Sequence, residues 1–415
     1  MLNRYHLCFV LLVCLTTGGV VRAQSSASGS QTAGPTPRVF LLDGNALAEV
    51  REAVLSGDER FLPAVQQLRS EADAAMNQGP FSVVSKPQTP PSGDKHDYMS
   101  QGPYWWPNPD TDDGLPYVNR DGQVNPEARE FDNVTKSRME AAVKTLAHAY
   151  YFTDHPPYAE RASLLLRTWF LDPATRMNPH LEFGQRIPGR TTGRSTGTIE
   201  MRTLPELLDA VGMLAESEAW TATDQEALTV WFREYLQWLV ESSHGKSAAR
   251  ARNNIGTWFD VQTVGVALFV GRDEIARDIL QTRGLQRIAA QIEPDGRQPR
   301  ELARTRPSGY SAMNLRAFLS LARLGDHVQV DLWNYRTDDG RSIRTALDYL
   351  VRYADGSQQW PHKDMRRPTW TALVPALRIA AHQYRHPPYE ELAQQLAGDH
   401  FAQDRMQLLY PRIQE

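Results

Sequence analysis

The sequence predicts an all-α protein: an (α/α) toroid, or incomplete barrel, of helical hairpins with one long aromatic-rich loop. Three observations lead there. Beyond Asp132, apolar residues recur at helical spacing in segment after segment, and strand-type alternation is scarce. The helices are joined at a hairpin rhythm that suits side-by-side packing around a central cleft. Ahead of them, Gln78 to Phe131 holds nine prolines and a dense aromatic run, a length that in a compact protein marks a functional loop. A helical-repeat solenoid is the second architecture compatible with the pattern.

Residues 1–23 read as a secretory signal peptide. Arg4 precedes an apolar run from Leu7 to Leu15, and Val21-Arg22-Ala23 resembles a cleavage site. The run is too short to span a membrane, and no later stretch approaches 18 apolar residues. The expected location is periplasmic or secreted. Cys8 and Cys14 both fall in the leader, so the mature chain would have neither a disulfide nor a thiolate metal site. Arg4 and Arg22 leave with it: 45 Lys and Arg less these two gives 43, against 49 Asp and Glu, a net charge of −6. That balance excludes a general nucleic-acid or membrane-surface binder. An anionic partner would need a local basic cluster. Residues 24–37, rich in Ser, Gly, Thr and Pro, read as a flexible linker, and 38–415 as one domain.

Two helices are expected next. Asn45 is the candidate cap of the first, with Leu47, Val50, Val54 and Leu55. The second carries Phe61, Val65, Leu68 and Ala72. After the long loop, helices are predicted at 133–152, 157–171, 203–217, 223–243, 257–270, 273–283, 309–324, 342–355, 369–384 and 388–398. Thr223 with Glu226 is read as a capping box. Trp258 and Phe259 read as core.

Three helix-joining segments are basic. Gly184 to Thr198 carries Gln185, Arg186, Arg190 and Arg194. Ser242 to Phe259 carries His244, Lys246, Arg250 and Arg252, then Asn253-Asn254. The third holds Arg300, Arg304 and Arg306 before Pro307 and Gly309, with Tyr310 expected on a loop where the next helix starts. A phenol beside that much positive charge is expected to titrate low.

Aromatic rings offer flat faces to sugars, and arginines pair with carboxylates. Tyr104, Trp105 and Trp106 with these arginines suit a polymer of uronic acid. β-Elimination would cleave such a polymer with a carboxylate neutraliser, a base and an acid. Asn254, Arg304 and Tyr310 can supply them.

The resemblance is carried by His96-Asp97-Tyr98-Met99, Pro103-Tyr104-Trp105-Trp106-Pro107 and Gly114-Leu115-Pro116-Tyr117. It continues in Leu204-Pro205-Glu206-Leu207-Leu208-Asp209-Ala210, Asn253-Asn254 with Gly256-Thr257-Trp258, and Glu301-Leu302-Ala303-Arg304 with Tyr310-Ser311. In this the chain resembles the alginate lyase family of helical-toroid polysaccharide lyases. The resemblance implies an enzyme that depolymerises alginate or a related anionic polysaccharide with no required metal or other cofactor. It implies Asn254 as carboxylate neutraliser, Arg304 as its partner and Tyr310 as the proton-transferring residue. His96, Tyr98, Tyr104, Trp105, Gln185, Arg194 and Arg300 are the candidate substrate contacts. One position departs: the family pattern is Asn-Asn-His, and Ile255 stands third. Activity is lost, another residue such as His96 or His244 substitutes, or the substrate needs only the tyrosine. The last is the working hypothesis, with Tyr310 as both base and acid.

Two other functions remain open. A toroid glycoside hydrolase would need two flanking carboxylates, for which Asp97, Glu200, Glu301 and Asp364 are available. A non-catalytic polyuronate-binding protein is compatible with Ile255. A metalloenzyme is disfavoured, since His155, His180, His362 and His386 show no ligand spacing.

Overall fold

The computed structural model describes residues 36–411. The expected leader, and the linker up to residue 35, lie outside the described residues. Sixteen α-helices are described in chain order: α1 Gly44–Leu55, α2 Leu62–Met76, α3 Asp132–Thr153, α4 Pro156–Leu166, α5 Leu204–Met213, α6 Ala222–Glu241, α7 Ser243–Ala249, α8 Asn254–Phe269, α9 Asp273–Ile279, α10 Leu285–Gln291, α11 Pro299–Leu302, α12 Pro307–Asp326, α13 Ile343–Ala354, α14 Val374–Tyr384, α15 Pro387–Ala397 and α16 Met406–Leu409. Among the described residues no helix is long and apolar enough to cross a membrane.

An inner row runs α3, α5, α8, α12, each packed on the next, with α4, α6, α9 and α13 packed outside. This is the (α/α) toroid. Its physical basis is visible in α8, where every residue from Gly256 to Phe269 is buried. A helix apolar all round belongs inside. The amphipathic outer α13 buries only its Ile343, Ala346, Leu347, Tyr349, Leu350 and Ala354 face. Because each outer helix returns the chain, the inner helices run in one direction and start at one end. The candidate site is built at those starts.

The long loop is ordered there by four short strands that the residue pattern did not reveal. Strand β1 (Met99–Gln101) pairs in parallel with β4 (Phe183–Arg186), placing Met99 opposite Phe183 and Gln101 opposite Arg186. Strand β2 (Trp105–Trp106) pairs antiparallel with β3 (Val118–Asn119). With two to four residues each, these strands are too short to show alternation.

Several local expectations are corrected. Asp43, not Asn45, caps α1, accepting from the backbone of Asn45 and Ala46. The capping box of α6 is Thr221 with Asp224, two residues before the expected pair. The segment after Ser242 is helical as α7, because the Ser242 side chain caps it through Gly245 N–H. Pro307 opens α12 instead of interrupting a helix, since a proline at the first helical position loses no hydrogen bond. Tyr310 therefore sits in the first turn of α12, not on a loop. Its backbone N–H donates to the Arg306 carbonyl at 3.0 Å.

Candidate active site

The Tyr310 hydroxyl is the meeting point of three side chains. Arg304 donates to it through Nη2 at 2.9 Å, and its guanidinium carbon lies 3.9 Å from the centre of the tyrosine ring. The Tyr104 hydroxyl, delivered by the long loop, lies 2.9 Å from it. Arg306 donates to the Tyr104 hydroxyl at 3.1 Å. Each phenol oxygen is thus held by an arginine and by the other phenol.

Arg304 is oriented from the loop side. Asp121 accepts from its Nε at 3.2 Å and its Nη2 at 2.6 Å, and also from the Thr305 hydroxyl at 3.0 Å. The hydrogen bond from Arg304 lowers the Asp121 pKa, while burial opposes it. Gly122, at φ +76°, lets this turn approach closely. A Cβ there would fall 2.5 Å from the Thr305 hydroxyl.

The neighbouring element brings Asn254, the first residue of α8. It is bound by Glu301, whose two oxygens accept the Asn254 backbone N–H at 2.7 Å and its side-chain Nδ2 at 2.6 Å. Both residues are 1% exposed. Burial raises the Glu301 pKa, opposed by the Asn254 bonds and by the charges of Arg304 and Arg300. Arg300 itself is exposed.

Buried amides hold α8 and α12 in register. Asn314 donates to Gln291 at 3.0 Å and to Gln298 at 2.8 Å, and Thr257 donates to Gln291 at 3.2 Å. The turn before Asn253 is shaped by Arg287, which donates to the carbonyls of Ala249 and Ala251 at 2.8 and 2.7 Å. Arg287 is itself paired with the fully buried Asp260 at 2.6 Å. Gly256 is required there, because a Cβ would sit 2.1 Å from the Ala251 carbonyl oxygen.

A second group forms around Trp105. Arg194 and Arg190 lie over its ring, 5.8 and 5.4 Å from the centre. Arg194 donates to Gln185 through both its carbonyl, at 3.2 Å, and its side-chain oxygen, at 2.7 Å. Burial lowers the Arg194 pKa, with the Glu200 charge opposing. Gln185 is a non-glycine residue at φ +50°, strained backbone of the kind found at ligand sites.

The sequence profile of the family described as Alginate lyase matches residues 82–360, about two thirds of the chain. An alginate lyase from Bacteroides ovatus superposes with a TM-score of 0.87 at 38% identity, over 91% of this chain and 100% of that one. The chain belongs to the alginate lyase family. It is a polysaccharide lyase. Alginate lyase A1-III from Sphingomonas species A1 shares the fold at a TM-score of 0.54 and 17% identity, covering 90% of this chain and 98% of its own. A histidine-to-alanine variant of A1-III, complexed with a tetrasaccharide, matches at 0.55 and 17%, covering 92% and 99%. No curated protein matched.

Within this alginate lyase family member, the expected residues divide. Tyr310, Arg304 and Tyr104 meet directly, and Asn254 is linked to them through Glu301, whose backbone carbonyl accepts the Arg304 N–H at 3.2 Å. Trp105, Gln185 and Arg194 form the second group. Tyr98 does not fit a substrate contact: its one hydroxyl proton is spent on Glu200, at 2.7 Å, beneath the loop. Ser100 donates to the same Glu200 oxygen at 2.7 Å. His96 bonds through Nδ1 to the Arg176 carbonyl at 2.6 Å, a brace within the loop. His244 faces Glu182 at 3.7 Å. The hydrolase reading loses Glu301, spent on Asn254, and Asp364, which accepts from Ser308 and Trp360.

The low phenol pKa expected for Tyr310 is also corrected. Burial raises it, the bond with Tyr104 adds to the rise, and Arg304 only partly offsets them. The arginine count was visible in the sequence; the burial was not. Asp121, Glu301 in its bridging role, and Arg287 were missed. A lone aspartate in a loop and an arginine on an amphipathic helix carry no motif.

Proposed function

We propose that this lyase cleaves a polyuronate, alginate-like polymannuronate or a glucuronan, by β-elimination that leaves an unsaturated uronate at the new non-reducing end. The Tyr310 hydroxyl, with Arg304 and Tyr104 both at 2.9 Å, carries the proposal. A phenolate formed there takes the proton at C5, beside the carboxylate. Asn254 donates to that carboxylate and stabilises the charge that builds on it. Electrons from the broken C–H bond form the C4–C5 double bond, and the C4–oxygen bond breaks. The phenol, now protonated, returns the proton to the departing oxygen. One residue serves both steps only when proton and leaving group are on the same face. That favours β-linked mannuronate or glucuronate over guluronate. With Ile255 in the family's histidine position, no imidazole is needed for this route.

Arg190 and Arg194 around Trp105 suit further carboxylates and sugar faces of the same chain. A cleaved leader at 1–23 would place the enzyme in the periplasm or outside the cell, where such polymers are met.

The test is a screen of purified protein against polymannuronate, polyguluronate, glucuronan and hyaluronan, read by ultraviolet absorbance of the unsaturated product. Turnover of a syn polymer, abolished in Tyr310→Phe, is expected. New reducing ends without that absorbance would replace lyase by hydrolase chemistry. Binding without turnover on every polymer would favour a non-catalytic role.

A further inference from the structure

We infer that Glu301 is a positioning residue that dictates which end of the Asn254 carboxamide meets the substrate carboxylate, and this rests on the polyuronate reading above. A carboxamide has two ends of nearly equal shape, one donating and one accepting. Only the donating end can neutralise a carboxylate. With the oxygen turned outward, Asn254 would repel it.

The geometry removes that ambiguity. The Asn254 backbone N–H cannot change its polarity, and it anchors one Glu301 oxygen at 2.7 Å. The other oxygen is thereby held against the side chain, where it meets Nδ2 at 2.6 Å. A carboxylate offers only acceptors to that side chain. The flipped amide would set oxygen against oxygen inside a site where both residues are 1% exposed, with no solvent to relieve it. Nδ2 has two hydrogens and Glu301 takes one, so the second remains as a donor of defined direction.

A buried carboxylate near the substrate's own would by itself be counterproductive. Burial raises the Glu301 pKa, and the Asn254 hydrogen bonds and the charges of Arg304 and Arg300 favour its ionised form against that rise. Ile255 makes the device necessary, since the neighbouring side chain can donate nothing and the neutralising task falls on one amide. The pair also favours a free carboxylate over its ester. An esterified uronate has a more acidic C5 proton and needs the amide donor less.

Glu301→Gln tests this. The glutamine oxygen must take the Asn254 backbone N–H, which leaves its Nε2 facing the Asn254 side chain and turns that amide around. The shape is preserved and the polarity reversed. Turnover of polymannuronate and glucuronan is expected to fall about 10²-fold, the loss typical of one misdirected oxyanion-type donor, and turnover of the methyl esters less than about threefold. In a Tyr310→Phe background, calorimetry with mannuronate and glucuronate tetramers reads binding without chemistry. There Glu301→Gln is expected to weaken the free acids by about tenfold and leave the methyl esters within about twofold.

Equal losses on acid and ester, or no loss, would overturn the positioning role. Glu301→Asp, which keeps the backbone anchor but is one methylene shorter, is expected to show the same acid-selective loss in weaker form. It serves if the glutamine variant does not fold. A folded Tyr310→Phe parent that binds neither tetramer would instead overturn the polyuronate reading itself.

Discussion

The hydroxyls of Tyr104 and Tyr310 lie 2.9 Å apart although 206 residues separate them in the chain. One comes from a long loop and the other from the first turn of an inner helix. A proton lost from this pair leaves one proton shared between two oxygens, each facing an arginine. On the proposed route, removing Tyr310 removes base and acid at once. Tyr310→Phe is expected to lower kcat by about 10⁴-fold, the upper range for acid–base groups. Tyr104→Phe loses one neutral hydrogen bond and is expected to cost about 5- to 10-fold. Steady-state rates of unsaturated product formation check both.

The pH dependence follows from the same burial. An acid with a raised pKa holds its proton more tightly, so Tyr310 is a neutral phenol in the resting enzyme near pH 7. Below its pKa the phenolate fraction rises tenfold per pH unit. The logarithm of kcat/KM is therefore expected to climb with a slope near 1 from about pH 7 to about pH 9. An acid limb levelling off near the ordinary histidine value of about 6.5 would point to an imidazole base instead.

Asp121 holds Arg304 against the phenol with contacts of 3.2 and 2.6 Å. Asp121→Asn keeps the shape and loses the charge. Hydrogen bonds to charged groups contribute about 1.5–3 kcal/mol, so kcat is expected to fall about 10- to 100-fold with little change in melting temperature. A calorimetric scan beside the rate measurement separates this from unfolding.

Arg287 pairs with the fully buried Asp260 and supplies donors to two carbonyls just before Asn253. Arg287→Leu would leave the buried Asp260 carboxylate with Arg283, at 2.8 Å, as its remaining ion-pair partner. A loss of about 1.5–3 kcal/mol in unfolding free energy is expected, measured by urea denaturation. Loss of activity would accompany it, because the turn that presents Asn254 is built on those two bonds.

Much of the architecture was legible in consecutive residues. The inner helices α3, α8 and α12 announced themselves by length and apolar spacing, and Trp258 and Phe259 read correctly as core. The errors lie at boundaries. A proline stops a helix on its left and starts one on its right, and spacing alone does not say which applies at Pro307. The four strands around Trp105 carry no sequence signal, because two to four residues cannot display a period. The aromatic neighbours of Tyr98 suggest a site residue, while its hydroxyl is spent on Glu200, 102 residues away.

By itself the sequence determined the helical class, the absence of cysteine chemistry outside residues 1–23, and the set of arginines, asparagine and tyrosine from which a uronate site can be made. These are properties of composition and of neighbours along the chain. Only the tertiary structure decided that Tyr104 meets Tyr310, that Asp121 holds Arg304 across 183 residues, and that Glu301 grips Asn254 across 47. It also decided the direction of the phenol's pKa. Burial and hydrogen bonding arise from groups brought together by packing, and that free energy is not local to any stretch of sequence.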